Sequence, residues 1–300
     1  MYSYLLFIIV LVGPIFLTVG IVLALKRWNA RSGKRSPLNQ KRIHLPGEQL
    51  RIRIDKLTDD VSDNLLTLIM VGPYSLLVIL YIKIRTVQVN ITTTDIFVAF
   101  SAMLIIAFTI KSLIKSMKLR TLSREGLAAE LITAQNLLPL MGSGCLVFND
   151  IPAKSGGPHG KPFNIDHVII GPNAVFMVET KSHKKPGKLD ESWKVFYDGK
   201  SLKFPDYRDT AMLEQAKRQT KWLSDYLFSA TGEVVKVISV VALPGWYIEN
   251  TSANAHSEII VSNCKTPKFM LSDKYGPSLD AAKKQRITHA IIQRYPDLDI

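Results

Sequence analysis

The sequence predicts an α-helical membrane module of three spans followed by an α/β domain, whose mixed sheet is flanked by helices. Three long apolar runs lie within residues 1–120, and the rest of the 300-residue chain alternates helical stripes with short apolar runs typical of strands. The formal net charge of +13 is divided in the same way: residues 1–120 hold 16 Lys and Arg against 6 Asp and Glu, and residues 121–300 hold 22 against 19. The basic excess therefore belongs to the membrane module and says little about nucleic-acid binding.

Three apolar segments, near residues 2–25, 64–82 and 96–114, are each long enough for a membrane span, since about 20 apolar residues cross a bilayer. A cleavable signal peptide is the alternative for the first segment. That segment lacks a basic leading region and a small-residue cleavage site, which favours an anchor. The spans contain no interior Asp, Glu or His, whereas transport and proton relay usually need such groups. We therefore expect the module to anchor the chain rather than to act as a channel or transporter.

The distribution of Lys and Arg predicts the orientation of the module. The loop 26–63 carries ten of them, whereas the short loop after the second span carries only Lys83 and Arg85. Positive charge favours the cytoplasmic side, so we expect the N-terminus outside, and the loop 26–63 and everything after residue 115 in the cytoplasm. The stretch 26–56 could also contact anionic lipid headgroups or DNA, but its role in topology already explains its charge.

Residues 121–300 show the elements of an α/β domain. We expect a helix over Ser123–Leu138 that ends at Pro139, two strands over Asn164–Ile170 and Ala174–Lys181, and a long helix over Asp209–Ala230. The two cysteines are far apart and form no CxxC pattern, which excludes a disulfide scaffold and a zinc ribbon. The remaining expected elements are a short strand from Cys145 to Phe148, a hairpin over Trp193–Phe204, strands over Val234–Leu243 and Glu258–Val261, and a helix over Ser278–Tyr295.

The turn between the two strands brings acidic residues together. If the turn centres on Pro172-Asn173, Asp166 faces Glu179 with the Cβ atoms about 5 Å apart, and Lys181 lies on the same side of the sheet. A three-residue loop would shift this register. Like charges placed opposite each other need a shared proton, the lysine or a divalent cation. Oxygen ligands beside a lysine suit Mg²⁺ or Mn²⁺.

The spacing from Asp166 to Glu179-Thr180-Lys181 resembles the PD-(D/E)xK nuclease signature. The wider sequence resembles the nuclease-related domain, NERD, of bacterial proteins over about residues 121–245. An isolated ExK arises often by chance, but four pieces in the same order form a more specific signal. Ile165 precedes Asp166 where the signature has Pro, and Ala129 stands where the family usually has Gly. The matching pieces are Gly126–Glu130, Asn164–Asn173, Val178–Lys181 and Glu214–Ala216.

The resemblance implies a restriction-endonuclease-like fold, Mg²⁺ or Mn²⁺ as cofactor, and a role for each matching side chain. Asp166 and Glu179 would hold the metal, with Glu130 as an additional carboxylate from the first helix. Lys181 would orient or activate the attacking water and stabilise charge on the phosphate, and Gln215 would line the site. The alternatives are a solvated ion pair at a strand end, a surface carboxylate at Glu130 and an ordinary helical Gln215.

Together these expectations describe a multi-pass protein of the bacterial inner membrane, with a nuclease domain at 121–245 and a C-terminal extension of that domain at 246–300. The expected activity is metal-dependent hydrolysis of phosphodiester bonds in DNA, with RNA as the other candidate substrate. The alternative is a membrane-tethered module that binds nucleic acid or a protein partner without turnover. The nearly neutral charge of residues 121–300 gives little electrostatic support for tight DNA binding.

Overall fold

The computed structural model falls into two units. One consists of Met1–Lys41 with Asp297–Ile300, and the other of Arg42–Pro296. In the first unit, Lys41 and Asp297 form an isolated β-bridge and an ion pair of 2.8 Å. The second unit contains the long helices and both sheets. The structure describes residues 41–87, 89–153, 162–187, 192–251 and 258–297, together with residues 21 and 24.

Two long helices open the second unit and pack against each other: α1, Glu48–Thr86, and α2, Thr93–Met141. Helix α2 begins at a capping box, in which the Thr92 side chain accepts the Asp95 N–H and the Asp95 carboxylate accepts the Thr92 N–H. Each helix contains an apolar stretch of 18 residues, of which 0% in α1 and 6% in α2 is buried. By length and composition both helices can cross a membrane.

The second and third expected spans, near 64–82 and 96–114, lie inside these helices. The first expected span, near 2–25, lies outside the described residues except for positions 21 and 24. Within the described residues there are two candidate spans, and the first expected span lies outside the part of the chain that tests it.

Two local expectations about the helices are wrong. Residues 48–63 were expected to lie in a loop, but they form the first turns of α1. The polar residues of this segment do not interrupt the helix. The segment Ser123–Leu138 is not a separate helix, because α2 continues through residue 120 without a break. Pro139 lies inside α2 and does not end it, since a missing N–H near the last turn removes one hydrogen bond but leaves Leu140 and Met141 free to stay helical.

Five strands form the main sheet in the order β1-β2-β3-β7-β9. The pairs β1-β2 and β2-β3 are antiparallel, and the pairs β3-β7 and β7-β9 are parallel, so the sheet is mixed as predicted. The strands are β1 Leu146–Ala153, β2 Phe163–Ile170, β3 Val175–Thr180, β7 Val237–Ala242 and β9 Ile259–Ser262.

A second, four-stranded sheet has the order β6-β5-β4-β8. Strands β4 and β5 form the expected hairpin around Asp198-Gly199, but their pairing with two further strands into a separate sheet was not expected. The local sequence does not reveal this pairing, because β8 follows β4 by about 50 residues along the chain. The strands are β4 Lys194–Tyr197, β5 Leu202–Lys203, β6 Arg208–Asp209 and β8 Tyr247–Asn250.

Helices cover both faces of the main sheet, as predicted. Helices α3, Ala211–Thr231, and α4, Ala281–Ile292, pack on one face, which presents Val175 and Met177 of β3. The end of α2, with Leu137 and Leu140, packs on the other face. Strand β3 is consequently buried along its whole length. Two short 3₁₀ helices, Pro267–Leu271 and Asp273–Tyr275, complete the fold.

The β2-β3 hairpin has the register that the sequence predicts. Val168 lies opposite Met177 and Ile170 opposite Val175, and the Gly171 N–H donates to Ala174 O at 2.9 Å to close a two-residue turn. The three-residue loop is thereby excluded.

Candidate active site

Three carboxylates lie in one row across neighbouring strands. The β1-β2 pairing places Asn149 opposite His167 and Ile151 opposite Ile165, so Asp150 falls opposite Asp166. The β2-β3 pairing, continued by one residue from the His167–Val178 pair, places Asp166 opposite Glu179. The paired strands thus bring Asp166 and Glu179 together as the hairpin register predicts, with a third acidic residue beside them.

The Asp166 side chain accepts a backbone hydrogen bond at the point where the regular pairing of β2 and β3 ends. Its Oδ2 accepts the Thr180 N–H at 2.6 Å, just beyond the last regular pair of β2 and β3. Desolvation raises the pKa of Asp166 well above its ordinary value, and the nearby charges of Glu179 and Glu130 raise it further. The Thr180 N–H and the Lys181 ammonium act in the opposite direction but do not compensate.

Glu179, Lys181 and Gln215 form a closed triangle of hydrogen bonds. Lys181 Nζ donates to Glu179 Oε1 at 2.6 Å and to Gln215 Oε1 at 2.9 Å, while Gln215 Nε2 donates to Glu179 Oε1 at 2.6 Å. Lys181 directly follows β3, and its backbone N–H is fixed by Ala242 O at 2.9 Å. Gln215 reaches the site from the first turns of α3. Glu179 is 3% exposed on a central strand, so this ion pair does not lie on a solvated sheet edge.

Glu130 approaches the row from helix α2. Burial raises the pKa of Glu130 to about 7, and the charges of Asp150 and Glu179 contribute to the increase. The Lys181 ammonium and a hydrogen bond from the backbone of Gly47 oppose it. These interactions place Glu130 within electrostatic reach of the hairpin carboxylates, and the side chain is not a free surface group.

Asp150 is a residue of this region that the sequence analysis did not single out. Its backbone has φ of 50°, a left-handed conformation that Asp tolerates better than most residues, and its side chain is buried. Oδ2 accepts the Gln49 N–H at 2.7 Å and Oδ1 accepts from Asn164 Nδ2 at 2.6 Å. The one available sequence signal was its position opposite Asp166, which requires the β1-β2 register to be known.

His167 follows Asp166 in the sequence but takes no part in the cluster. Its side chain is fully buried, Nδ1 lies 2.8 Å from Asn149 Oδ1, and burial lowers the pKa of His167 to about 3. It is therefore a neutral packed residue. His183, two residues after Lys181, packs among the rings of Phe204, Tyr207 and Trp246.

The donor set suits a hard divalent cation that keeps part of its water. Within the described part of the chain, no group of three or more His, Cys, Asp or Glu side chains converges closely enough to hold a metal. Mg²⁺, however, commonly uses only one or two carboxylates and completes its shell with water and substrate phosphate. Glu179 Oε2 is buried and has no hydrogen-bond partner among the described residues. A cation between Glu179 and Asp166 would satisfy this oxygen and offset their repulsion, so the residues fit such an ion.

The comparison with protein families covers this same region. Residues 125–244 match the family model NERD, the nuclease-related domain. No curated protein and no solved structure matches the chain significantly. The matched segment includes the five clustered residues that the sequence analysis selected, namely Glu130, Asp166, Glu179, Lys181 and Gln215. Residues 125–244 are therefore similar to the nuclease-related domain (NERD) family.

Proposed function

We propose that the protein is a membrane-anchored nuclease that hydrolyses phosphodiester bonds of DNA, with RNA as the other candidate substrate, in the presence of Mg²⁺ or Mn²⁺. The observation that carries this proposal is the Lys181 ammonium, held between Glu179 and Gln215 beside a row of carboxylates. The family match supports a nuclease-related function and, in general terms, a nucleic acid as the partner.

Lys181 is the residue that we assign to the reacting phosphate. An ammonium group has three N–H donors, and Glu179 and Gln215 each accept one from Lys181. The remaining donor can hold a water molecule or a phosphate oxygen. Because Glu179 and Gln215 fix the direction of the group before substrate arrives, little reorganisation is needed when negative charge develops on the phosphate.

The carboxylates would hold the metal. Asp166 and Glu179 would bind it directly, with Glu130 as an additional ligand or a partner of its water. A divalent cation bound there would polarise the phosphodiester and acidify the attacking water. Gln215 donates to Glu179 Oε1, so the buried and unpaired Oε2 is the oxygen of Glu179 that would bind the cation.

The two long helices would anchor the enzyme in the membrane. We propose that α1 and α2 span the inner membrane of a bacterium with the NERD domain in the cytoplasm, and that the segment near residues 2–25 is a further span, which puts the N-terminus of the chain outside. Lys115, Lys118 and Arg120 follow the apolar part of α2 and support this orientation. Anionic lipid headgroups would then lie near the basic residues 26–56.

The test is a nuclease assay with the full chain in lipid nanodiscs. Supercoiled plasmid, linear DNA and RNA are each incubated with Mg²⁺, Mn²⁺ or EDTA. We expect metal-dependent cleavage that falls by at least about a hundredfold in Lys181→Ala, since a single preorganised donor commonly contributes that much. Lys221→Ala is the matched control, because Lys221 is exposed on α3 and forms an ion pair with Asp225 on the same helix.

Other outcomes of the assay have clear meanings. Cleavage that survives in Lys181→Ala points to a contaminant and counts against the proposal. A folded wild-type chain that cleaves neither DNA nor RNA with either metal supports the non-catalytic tether, which binds nucleic acid or a partner without turnover.

A further inference from the structure

The amino end of α1 lies directly against the candidate active site. Gly47, the residue before the helix, passes close to the Glu130 carboxylate. Gly47 has φ of 68°, and a Cβ atom built there would overlap Leu127 Cδ1 and lie 3.4 Å from Glu130 Oε2. Only glycine allows the chain to pass so close to α2 in this conformation.

Asp150 holds the same segment from the sheet side. Its carboxylate accepts the Gln49 N–H in the first turn of α1, and its carbonyl oxygen lies 2.8 Å from His44 Nδ1. A carboxylate at a helix N-terminus is favourable, because the first N–H groups of a helix lack partners within it. Asn164 Nδ2 donates to the other carboxylate oxygen and so fixes its direction.

Further contacts fix the segment that leads into α1. Glu48 is buried, accepts the Leu45 N–H at 3.0 Å and forms an ion pair of 2.7 Å with Arg42. The His44 ring packs edge-on against Tyr295 with the ring centroids 5.1 Å apart. Residues 42–49 are therefore a built part of the domain and not a loose entry to the membrane helix.

We propose that Gly47 and Asp150 are positioning residues of the nuclease site, which hold the amino end of α1 against Glu130, so that a membrane-spanning helix completes the site. This inference rests on the proposed nuclease function. Glu130 is then oriented from both long helices, because α2 carries its side chain and the residue before α1 lies against it. A soluble domain cut out of the chain after α1 would lack this contact.

The first test compares two glycine substitutions in the full chain in nanodiscs. Gly47→Ala must displace the segment from Leu127 and Glu130. Gly144→Ala is the matched control, because Gly144 also has a positive φ of 79° but nothing lies within 4 Å of its added Cβ. We expect kcat to fall by at least about tenfold in Gly47→Ala with little change in KM, since a displacement of about 1 Å near the chemistry can cost about a hundredfold.

Rescue variants separate positioning from mere folding. Leu127→Ala in the Gly47→Ala background removes the overlapping atoms and should restore most of kcat. Asp150→Asn keeps an oxygen that can accept the Gln49 N–H, and its amide group can donate to Asn164 if the Asn164 amide is flipped. Asp150→Gly keeps the left-handed backbone but loses both of these side-chain contacts. We expect Asp150→Asn to retain far more activity than Asp150→Gly at temperatures well below the melting temperatures of both.

A cross-link tests the contact without reference to nuclease activity. With Cys at both position 47 and position 127, the shorter side chain at 127 makes room for a disulfide, and oxidation should produce it in the full chain. If the cross-link forms but the wild type cleaves nothing, the nuclease proposal fails, and the positioning role fails with it. If the wild type is active and Gly47→Ala is as active as Gly144→Ala, only the positioning role is overturned. Failure of the cross-link in an active enzyme overturns it as well.

Discussion

At the scale of single residues, the two oxygens of the Glu179 carboxylate have different surroundings. Oε1 accepts from both Lys181 and Gln215, whereas Oε2 is buried with no partner among the described residues. Such an unpaired buried oxygen is costly to keep, because it has lost its water without gaining a donor. The proposed cation would bind this oxygen, which gives a functional reason for keeping it buried and unpaired.

Removal of the charge on Asp166 should stabilise the protein when no metal is present. Asp166→Asn keeps an oxygen that can accept the Thr180 N–H but removes the repulsion with Glu179. In EDTA we expect a higher melting temperature than in the wild type, by about 2–4 °C for each kcal/mol of relieved repulsion. Asp225→Asn, on the exposed side of α3, should change little. A melting temperature below that of the wild type in EDTA contradicts the paired-carboxylate arrangement.

The raised pKa of Glu130 predicts how stability depends on pH. Because that pKa rises from 4.5 to about 7 on folding, the folded protein binds more protons than the unfolded chain between these values. Stability in metal-free buffer should therefore fall as pH increases from about 4.5 to about 7. Denaturation at several pH values measures this. Glu130→Gln should flatten the decline, and Glu214→Gln, an exposed residue of α3, should not.

How much of the site the sequence predicts depends on the range of the contacts. The positions of Asp166 and Glu179 follow from a tight turn, which local residues determine. Asp150 and Gly47 could not be found in this way. Their contacts join segments about 100 residues apart along the chain and depend on a left-handed backbone at both residues, for which only Gly47 carries a sequence signal.

At the scale of whole elements, the two halves of the continuous helix α2 have different surroundings. Its first half contains the long apolar stretch, whereas its last turns bury Leu137 and Leu140 against the sheet. The sequence analysis treated these halves as two elements because their hydrophobic patterns differ. Helical continuity depends on the absence of a break between them, and the polar residues around position 120 are good helix formers that provide none.

The docking of α2 on the sheet can be measured with two adjacent leucines. Leu137 is fully buried, whereas Leu138 is 58% exposed. We expect Leu137→Ala to lower the free energy of unfolding of the domain by about 2–5 kcal/mol, as buried leucine truncations usually do. Leu138→Ala should lower it by less than about 0.5 kcal/mol. Equal effects of the two substitutions in denaturant titrations would contradict this packing of α2.

At the scale of the whole molecule, the two helices that we propose to span the membrane also contribute to the candidate site. Glu130 belongs to α2, the residue before α1 lies close to it, and the two helices are joined at their other ends by the short segment 87–92. A hairpin of this kind places its two free ends on the same side of a membrane. The connecting segment then lies on the opposite side from the NERD domain.

This arrangement predicts which engineered cysteines an impermeant thiol reagent reaches in intact spheroplasts. Val89, in the connecting segment, is 92% exposed, and Lys265 is exposed on the domain beyond the hairpin. The native Cys145 and Cys264 are buried and should stay unlabelled. We expect Val89→Cys to react from outside, and Lys265→Cys to react only after permeabilisation. The reverse pattern would invert the orientation inferred from the basic residues, and labelling of both positions from outside would mean that α1 and α2 do not cross the membrane as a hairpin.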